Sequence, residues 1–475
     1  MKRNKKILAL ILALVMCFAT LAACADDTPP ATPTPEPPPP APATPAPATP
    51  EPTLPPVPDV PDFVMPTDPI TLSFSWWGND DRAAAVQAAI DIFTDRYPNV
   101  TINPEPNSAA FVEVTEAMII RLGAGTEADI NQVNYSWIHT FARGNNPFAD
   151  LRDFGHIIDF TQFTGTDVGL MTLPNGEVGG LPHNMNCRML LYNKEFLAEF
   201  GLTTLPTNFN DWLALAELIS ADNDVIDSGE NRYAHVPFSN LDIDHFILTM
   251  LYSMTGKENV VGGQFNYTVD EIRAVLDLVL AFDAAGGQPS FENHDPINNR
   301  ENSVWTSGRA LASFQWINNP MADGAPYGGG DRLHEMSLAP WPQVGGNVVA
   351  VARPGLGHAI SKNSEHPEVA AYFLNFFYTD PDAIRAVGSQ LGIPIARDAF
   401  AIMDAEGLIH PLAAYGLEVM NSLPVGPMGA FWEDGTLRNP RYAIYDEVRT
   451  GRITSQQAAE RLVQEQQSAL DVLNR

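Results

Sequence analysis

Alternation between two hydrophobic periods constrains this chain more than any other feature. Ile70, Leu72, Phe74 and Trp76 alternate with Thr71, Ser73 and Ser75, the period-two pattern of a strand. The next apolar set, Ala83 to Phe93, recurs at helical spacing and stops before Tyr97-Pro98. A second strand (VTINPE), a helix from about Phe111 to Leu122 ending at GAGT, and a short strand over Asp129 to Val133 continue the series. Such repeated alternation predicts an α/β fold with a largely parallel sheet.

The first strand ends oddly. Trp77 follows Trp76 and breaks the alternation, and Gly78, Asn79, Asp80 and Asp81 come next. Neighbouring side chains on a strand point to opposite faces, so the two Trp cannot share one core.

A second region opens at GGLPHNMNCRMLLYNKEFLAEFGL, read as a loop, an apolar strand and a helix start. LPTNFNDWLALAELIS enters a helix with Thr207 or Asn208 as cap, and helical patterns cover Ile243 to Gly256 and Val269 to Ala285. The strand-like runs ALASFQWI and SLAPWP precede VVAVARPGLGHAISK. The last third is helical, and its final helix takes Thr454 or Ser455 as cap. No internal repeat is present.

The N-terminus has a charged MKRNKK, an apolar ILALILALVMCFATLA and then LAAC. This is the layout of an export signal. Small residues before a cysteine resemble the lipobox of bacterial lipoproteins, which implies a signal over residues 1–23 and a lipidated Cys24. Cys17 would leave with the signal, and Cys187 would then be the single free thiol, so no internal disulfide is expected. Residues 24–69 carry 19 of the 41 prolines, a composition that forms an extended polyproline linker and no core. At ~3.1 Å per residue, some 40 residues reach on the order of 120 Å, enough to cross the thick wall of a Gram-positive-type surface. No later segment has the ~18 consecutive apolar residues of a spanning helix.

The 57 acidic residues against 27 basic argue against nucleic acid or anionic lipid as the main partner. No Gly-x-Ser-x-Gly, His-Glu-x-x-His or Cys-x-x-Cys motif occurs, and His334-Glu335 lacks the second His. No enzyme activity, metal or cofactor is therefore expected. DNDVIDSGENRY (Asp222 to Tyr233) has a calcium-loop flavour, but Ile226 interrupts the ligand spacing, so it reads as a solvated acidic loop.

Several segments in order carry a family likeness: WWGNDD, RYPNVTIN, GAGTEADINQVNYSW, GLPHNMNCRMLLYNKEF, TSGRALASFQW with APWPQ, HAISKNSEHPEVAAYFLNFFYTDPDA, and GRITSQQAAERL. Together they resemble extracellular solute-binding proteins, family 1, of carbohydrate ABC importers, the class that includes maltose-binding protein. The resemblance spans about Ile70 to Asn474. It implies a periplasmic-binding-protein-like fold: two α/β lobes joined by hinge strands, with a ligand cleft between them. It places lobe one at 70–182 and 305–355, and lobe two at 183–304 and 356–475. It further implies a monomer that closes on a sugar and docks on a membrane permease. A peptide, polyamine or aldouronate-type acidic sugar as ligand, or a surface glycoside hydrolase needing two carboxylates about 5 to 10 Å apart, are the other readings.

A sugar offers hydroxyls on its rim and C–H patches on its faces, so aromatic, amide, carboxylate and Arg side chains should hold it. In open α/β sheets ligands lie beyond the carboxyl ends of strands. That logic selects Trp76 and Trp77, then Asn79 and Asp80 in the loop after them, and Asn134, Tyr135 and Trp137 after the third strand. Asp129 matches the family's Gly-Thr-x-x-Asp segment. Asn186 and Arg188 share one face of the strand at the crossing. Trp316 matches a family position that stacks on sugar; Trp341 and Trp432 resemble further aromatics near the cleft.

Overall fold

A computed structural model describes residues 63–473, apart from 110, 143–145, 174, 225–228, 290–302, 319, 321–323, 346–347 and 430. The signal segment, Cys24, most of the Pro-rich linker and part of the acidic 222–233 loop lie outside the described residues.

The strands in chain order are β1 (Ile70–Trp77), β2 (Val100–Asn107), β3 (Ile130–Val133), β4 (Leu181–Pro182), β5 (Met185–Asn193), β6 (Tyr233–His235), β7 (Val260–Val261), β8 (Gln264–Phe265), β9 (Ala310–Trp316), β10 (Met336–Ala339), β11 (Ala350–Pro354), β12 (Gly357–Ile360) and β13 (Val425–Pro427). They build two main sheets. The first has the order β2-β1-β3-β12-β4, and the second β13-β11-β5-β9-β6 with β10 also on β5. β1 runs parallel to β2 and β3, whereas β12 is antiparallel to β3 and β4. The second sheet is mixed, with β5 antiparallel to β9, β10 and β11.

The sequence reading of the helices holds closely. Helix Asp80–Arg96 follows β1 and buries Val86, Ala89, Ile90 and Phe93. Asn208 caps helix Phe209–Ser220 by accepting from Asp211 N. Thr454 caps helix Ser455–Leu473, its hydroxyl accepting from Gln457 N.

The expected exchange of segments at 305 and 356 is reversed. β9, β10 and β11, from the 305–355 segment, all join the second sheet. β12 joins the first, and helices Pro367–Thr379, Pro381–Val387 and Arg397–Ala405 pack on the core of that sheet through Phe373, Ile384 and Met403. The cause is pairing: β9 aligns Trp316 with Arg188 and Phe314 with Leu190 on β5, while β12 aligns Ile360 with Ile130 on β3. The folded region also begins earlier than Ile70. Phe63 and Met65 pack against the first core, and the Phe63 ring lies 5.3 Å from that of Tyr372.

Each sheet is covered on both faces, which requires apolar side chains on both. In the first, Phe74 and Trp76 belong to the cluster under helices Asp80–Arg96 and Pro367–Thr379. Val133, Trp137 and Phe148 form the opposite cluster, and Trp77 packs there. The paired Trp therefore differ: Trp76 is buried in the first cluster, whereas Trp77 is half-buried and touches both clusters.

The chain crosses between the sheets at Pro182–Met185 and again at Pro354–Gly357. Asn184 ties these crossings together. Its Oδ1 accepts from Gly355 N (3.0 Å) and Leu356 N (3.3 Å), and its Nδ2 donates to Leu391 O (2.5 Å). A side chain at Gly355 would collide with Asn184, so glycine is required by the close approach.

Candidate functional site

A cleft of about 430 Å³ opens between the lobes. Its first-lobe wall comes from helix Phe111–Ala124 (Thr115, Glu116, Ile119) and helix Tyr135–Phe141 (Ser136, Trp137, Thr140, Phe141). Its second-lobe wall is Glu433 to Thr436 with Arg438 and Asn439, at the start of helix Gly435–Arg449. Its volume falls in the range of small-molecule sites. The first wall lies beyond the carboxyl ends of β1 and β3, where ligands of parallel sheets bind.

The local sequence builds that wall. Asn134 ends β3 and caps the next helix, its Oδ1 accepting from Ser136 N at 3.0 Å. The cap turns the chain so that Trp137 meets Trp77, ring centroids 5.1 Å apart, and Phe141 at 5.6 Å. Trp77 N donates to Gln132 Oε1 (3.0 Å), fixing the end of β1 against β3. The result is an aromatic row along the first lobe.

Contacts join the two lobes. Thr140 Oγ1 donates to Asp434 Oδ2 (2.9 Å), and Tyr135 OH donates to Met428 O (3.1 Å). Asn134 Nδ2 lies 3.4 Å from Gly355 O.

Behind the second wall stands a buried ionic cluster. The Arg188 guanidinium pairs with Asp242 and donates to Phe314 O. It lies 4.7 Å from the Phe314 ring and 5.6 Å from Trp316. Arg353 covers Trp316 at 4.7 Å, and His245 meets it edge-on at 5.2 Å. Arg353 Nη2 bonds Glu433 Oε1 at 3.0 Å. Burial works against ionisation of Glu433, but Arg353 and nearby His245 outweigh it and take the carboxyl down to about 2. Burial likewise opposes the charge on Asp242, yet Arg188, His235 and the Ser239 cap hold it below the usual carboxylate range. Asn186 Oδ1, Arg188 Nε and Nη1, and Arg353 Nε are buried and make no hydrogen bond with described residues.

The thirteen side chains selected from sequence separate into groups. Trp137 lines the cleft, and half-buried Trp77 packs on it. Tyr135 bridges the lobes. Asn186, Arg188 and Trp316 belong to the second lobe's side of the hinge region with Arg353. Asn134 serves as a helix cap.

The others sit elsewhere. Trp76 is 3% exposed inside the first core. Trp341 is in the second core among Trp212, Phe238, Phe246 and Phe314. Trp432 is buried there too, with Arg441 3.8 Å over its ring. Asn79 caps helix Asp80–Arg96 through Arg82 N, and Asp80 lies exposed in its first turn. Asp129 is a clasp within the first lobe: Oδ2 accepts from Ser73 N and Oγ, and Oδ1 from Ser364 Oγ at 2.6 Å.

The residues between 77 and 384 match the family model of the bacterial extracellular solute-binding proteins. The chain belongs to this family. A relative, the arabinooligosaccharide-binding protein of Halalkalibacterium halodurans, is 21% identical over 321 residues, which cover 65% of this chain and 67% of its own. Among solved structures, a periplasmic oligogalacturonide binding protein from Yersinia enterocolitica, in complex with saturated digalacturonic acid, has 19% identity and a TM-score of 0.74, covering 86% of this chain and 100% of that one. A periplasmic solute binding protein from Pectobacterium atrosepticum has 21% identity and a TM-score of 0.76 with the same coverage. At such identities the two structures establish a shared fold.

This solute-binding protein thus has cleft residues that sequence reasoning passed over, Thr140, Glu433, Asp434 and Arg438, with Arg353 paired to Glu433 behind them. Glu433 and Asp434 stand directly after Trp432 in GAFWEDG, so the right loop was marked by its wrong member. Among the described residues, no group of three or more His, Cys, Asp or Glu is placed to hold a metal ion.

Proposed function

We propose that this solute-binding protein captures a sugar or oligosaccharide in the interlobe cleft, closes on it, and delivers it to the membrane permease of an ABC importer. The observation that carries the reading is the pairing of the two walls. One offers Trp137 and Phe141, backed by Trp77, and the other offers Glu433, Asp434 and Arg438. Rings suit the C–H faces of a sugar, and carboxylates with guanidinium suit its hydroxyls. The names of the relatives, arabinooligosaccharide- and oligogalacturonide-binding proteins, support the same class. A monomer, tethered by lipid on Cys24 to the outer face of the cytoplasmic membrane of a Gram-positive-type bacterium, completes the proposal.

The protein binds without turning over its ligand. A glycosidase needs a carboxylic acid kept protonated near neutral pH, with a raised pKa. Arg353 and His245 do the opposite to Glu433, holding it ionised.

The test is calorimetric titration of the full chain with mono- and oligosaccharides, beside a peptide and a polyamine. Heat of binding with at least one sugar, and no release of shortened products, is expected. Binding of peptide or polyamine with no sugar response would overturn the reading.

A further inference from the structure

The cleft carries an unbalanced set of charges. Among its described lining residues, Glu116, Glu433 and Asp434 face a single cation, Arg438. Two more guanidiniums lie close behind, and both are committed. Arg188 is paired with Asp242, and Arg353 with Glu433. Counting Arg353 with the lining leaves three carboxylates against two cations. The surrounding field has the same sign, because the whole chain has a net charge of −30.

We propose that the cleft is matched to an uncharged sugar and rejects uronates, although a structural relative holds digalacturonic acid. This rests on the sugar reading above. A neutral hydroxyl both donates and accepts, so one ring can serve Asp434 or Glu116 and Arg438 together. A uronate carboxylate only accepts. It would meet an acidic wall, and to pair with Arg353 Nη2 it would have to separate that atom from Glu433. That separation leaves a buried carboxylate without its partner, the costly half of breaking an ion pair. One unmatched like charge within about 6 Å weakens a bound anion by roughly 100-fold near a protein surface, and by less in salt.

The remaining guanidinium atoms fit this view. Arg188 Nε and Nη1 and Arg353 Nε are donors, and buried Asn186 Oδ1 beside them is an acceptor. Both a donor and an acceptor are open, which suits hydroxyls better than a carboxylate.

The experiment titrates the full chain with arabinotriose, xylotriose, maltotriose and trigalacturonate, at low salt and at high salt. The panel is repeated with Glu116→Gln, an exposed position on helix Phe111–Ala124. Expected is a neutral trisaccharide that binds at least about 10-fold more tightly than trigalacturonate. The gap should narrow in high salt and narrow by several-fold in Glu116→Gln, with the neutral ligand little changed by salt. Trigalacturonate binding as tightly as every neutral sugar would overturn the charge proposal and leave the sugar reading standing. A gap insensitive to both salt and Glu116→Gln would also overturn it. Silence from all four sugars, with putrescine or a tripeptide bound, would remove the sugar reading and this proposal together.

Discussion

Arg353 Nη2 lies 3.0 Å from Glu433 Oε1, and the same guanidinium covers the ring of Trp316 at 4.7 Å. One cation therefore fixes both a cleft carboxylate and a neighbouring aromatic. Glu433 has its pKa depressed, so its ionic contribution is present above the unfolded value and is lost as pH falls toward about 2. Glu433→Gln should cost on the order of 3 kcal/mol at pH 7, with the difference from wild type shrinking between about pH 4.5 and 2. Urea unfolding at a series of pH values measures it. A constant difference down to pH 2 would contradict the assigned role.

Trp432 and Trp77 should respond in opposite ways. Trp432→Ala opens a cavity in the second core beneath Arg441, with a stability loss of about 3–5 kcal/mol. Trp77→Ala removes a half-buried ring packed on Trp137, so ligand affinity should fall with a smaller stability loss. Unfolding curves and ligand titrations on both variants separate the two. Equal stability losses with unchanged affinity would remove Trp77 from the site.

The Thr140–Asp434 hydrogen bond joins the two lobes, so opening of the cleft should break it. Thr140→Val keeps the shape and deletes the donor. If the bond contributes about 1 kcal/mol to closure, ligand affinity should drop by roughly 5-fold with little change in unfolding midpoint. Calorimetry and thermal unfolding together check this.

His183 is buried at the first crossing, between Tyr378 and His358, and burial with the nearby Arg82 charge takes its pKa down to about 3. The unfolded chain binds that proton near pH 6.5. Stability is therefore full above about pH 6.5 and declines as pH falls toward 3. His183→Gln should flatten this acid limb of the stability profile. An unchanged slope would place the acid sensitivity elsewhere.

The elements were legible because each carries its own period. β1, helix Asp80–Arg96 and helix Phe209–Ser220 follow patterns contained within a few turns of chain. Sheet membership was not legible. The run ALASFQW says strand, but only its long-range alignment with β5 assigns it to the second lobe. The same distinction divides the site. The alternation at Trp76 and Trp77 correctly separates two faces, but both faces of the first sheet are buried, so it cannot say which one borders a cleft. Trp341 and Trp432 lie outside the strands, yet they fold inward over a core made by helices Asn240–Thr255 and Gly435–Arg449. Arg353 looks like one more charge in VARPG, and its value depends on Glu433, 80 residues away.

The strap at the start of the described chain has a mechanical consequence. Phe63 is packed on Tyr372, and Asn99 Nδ2 holds Pro66 O and Asp68 O at 2.8 and 3.0 Å. A force applied to the chain at residue 63 would therefore enter the first lobe, at the amino end of β1. That end lies one eight-residue strand, roughly 26 Å, from Trp77 beside the cleft. If the N-terminal side is tethered as proposed, the first lobe is the fixed jaw on a leash and the second the moving jaw, joined to it by the crossings that Asn184 ties and by the stretch between helix Arg397–Ala405 and β13. Tension along the leash would enter at the far end of the fixed jaw and leave the bite itself unloaded.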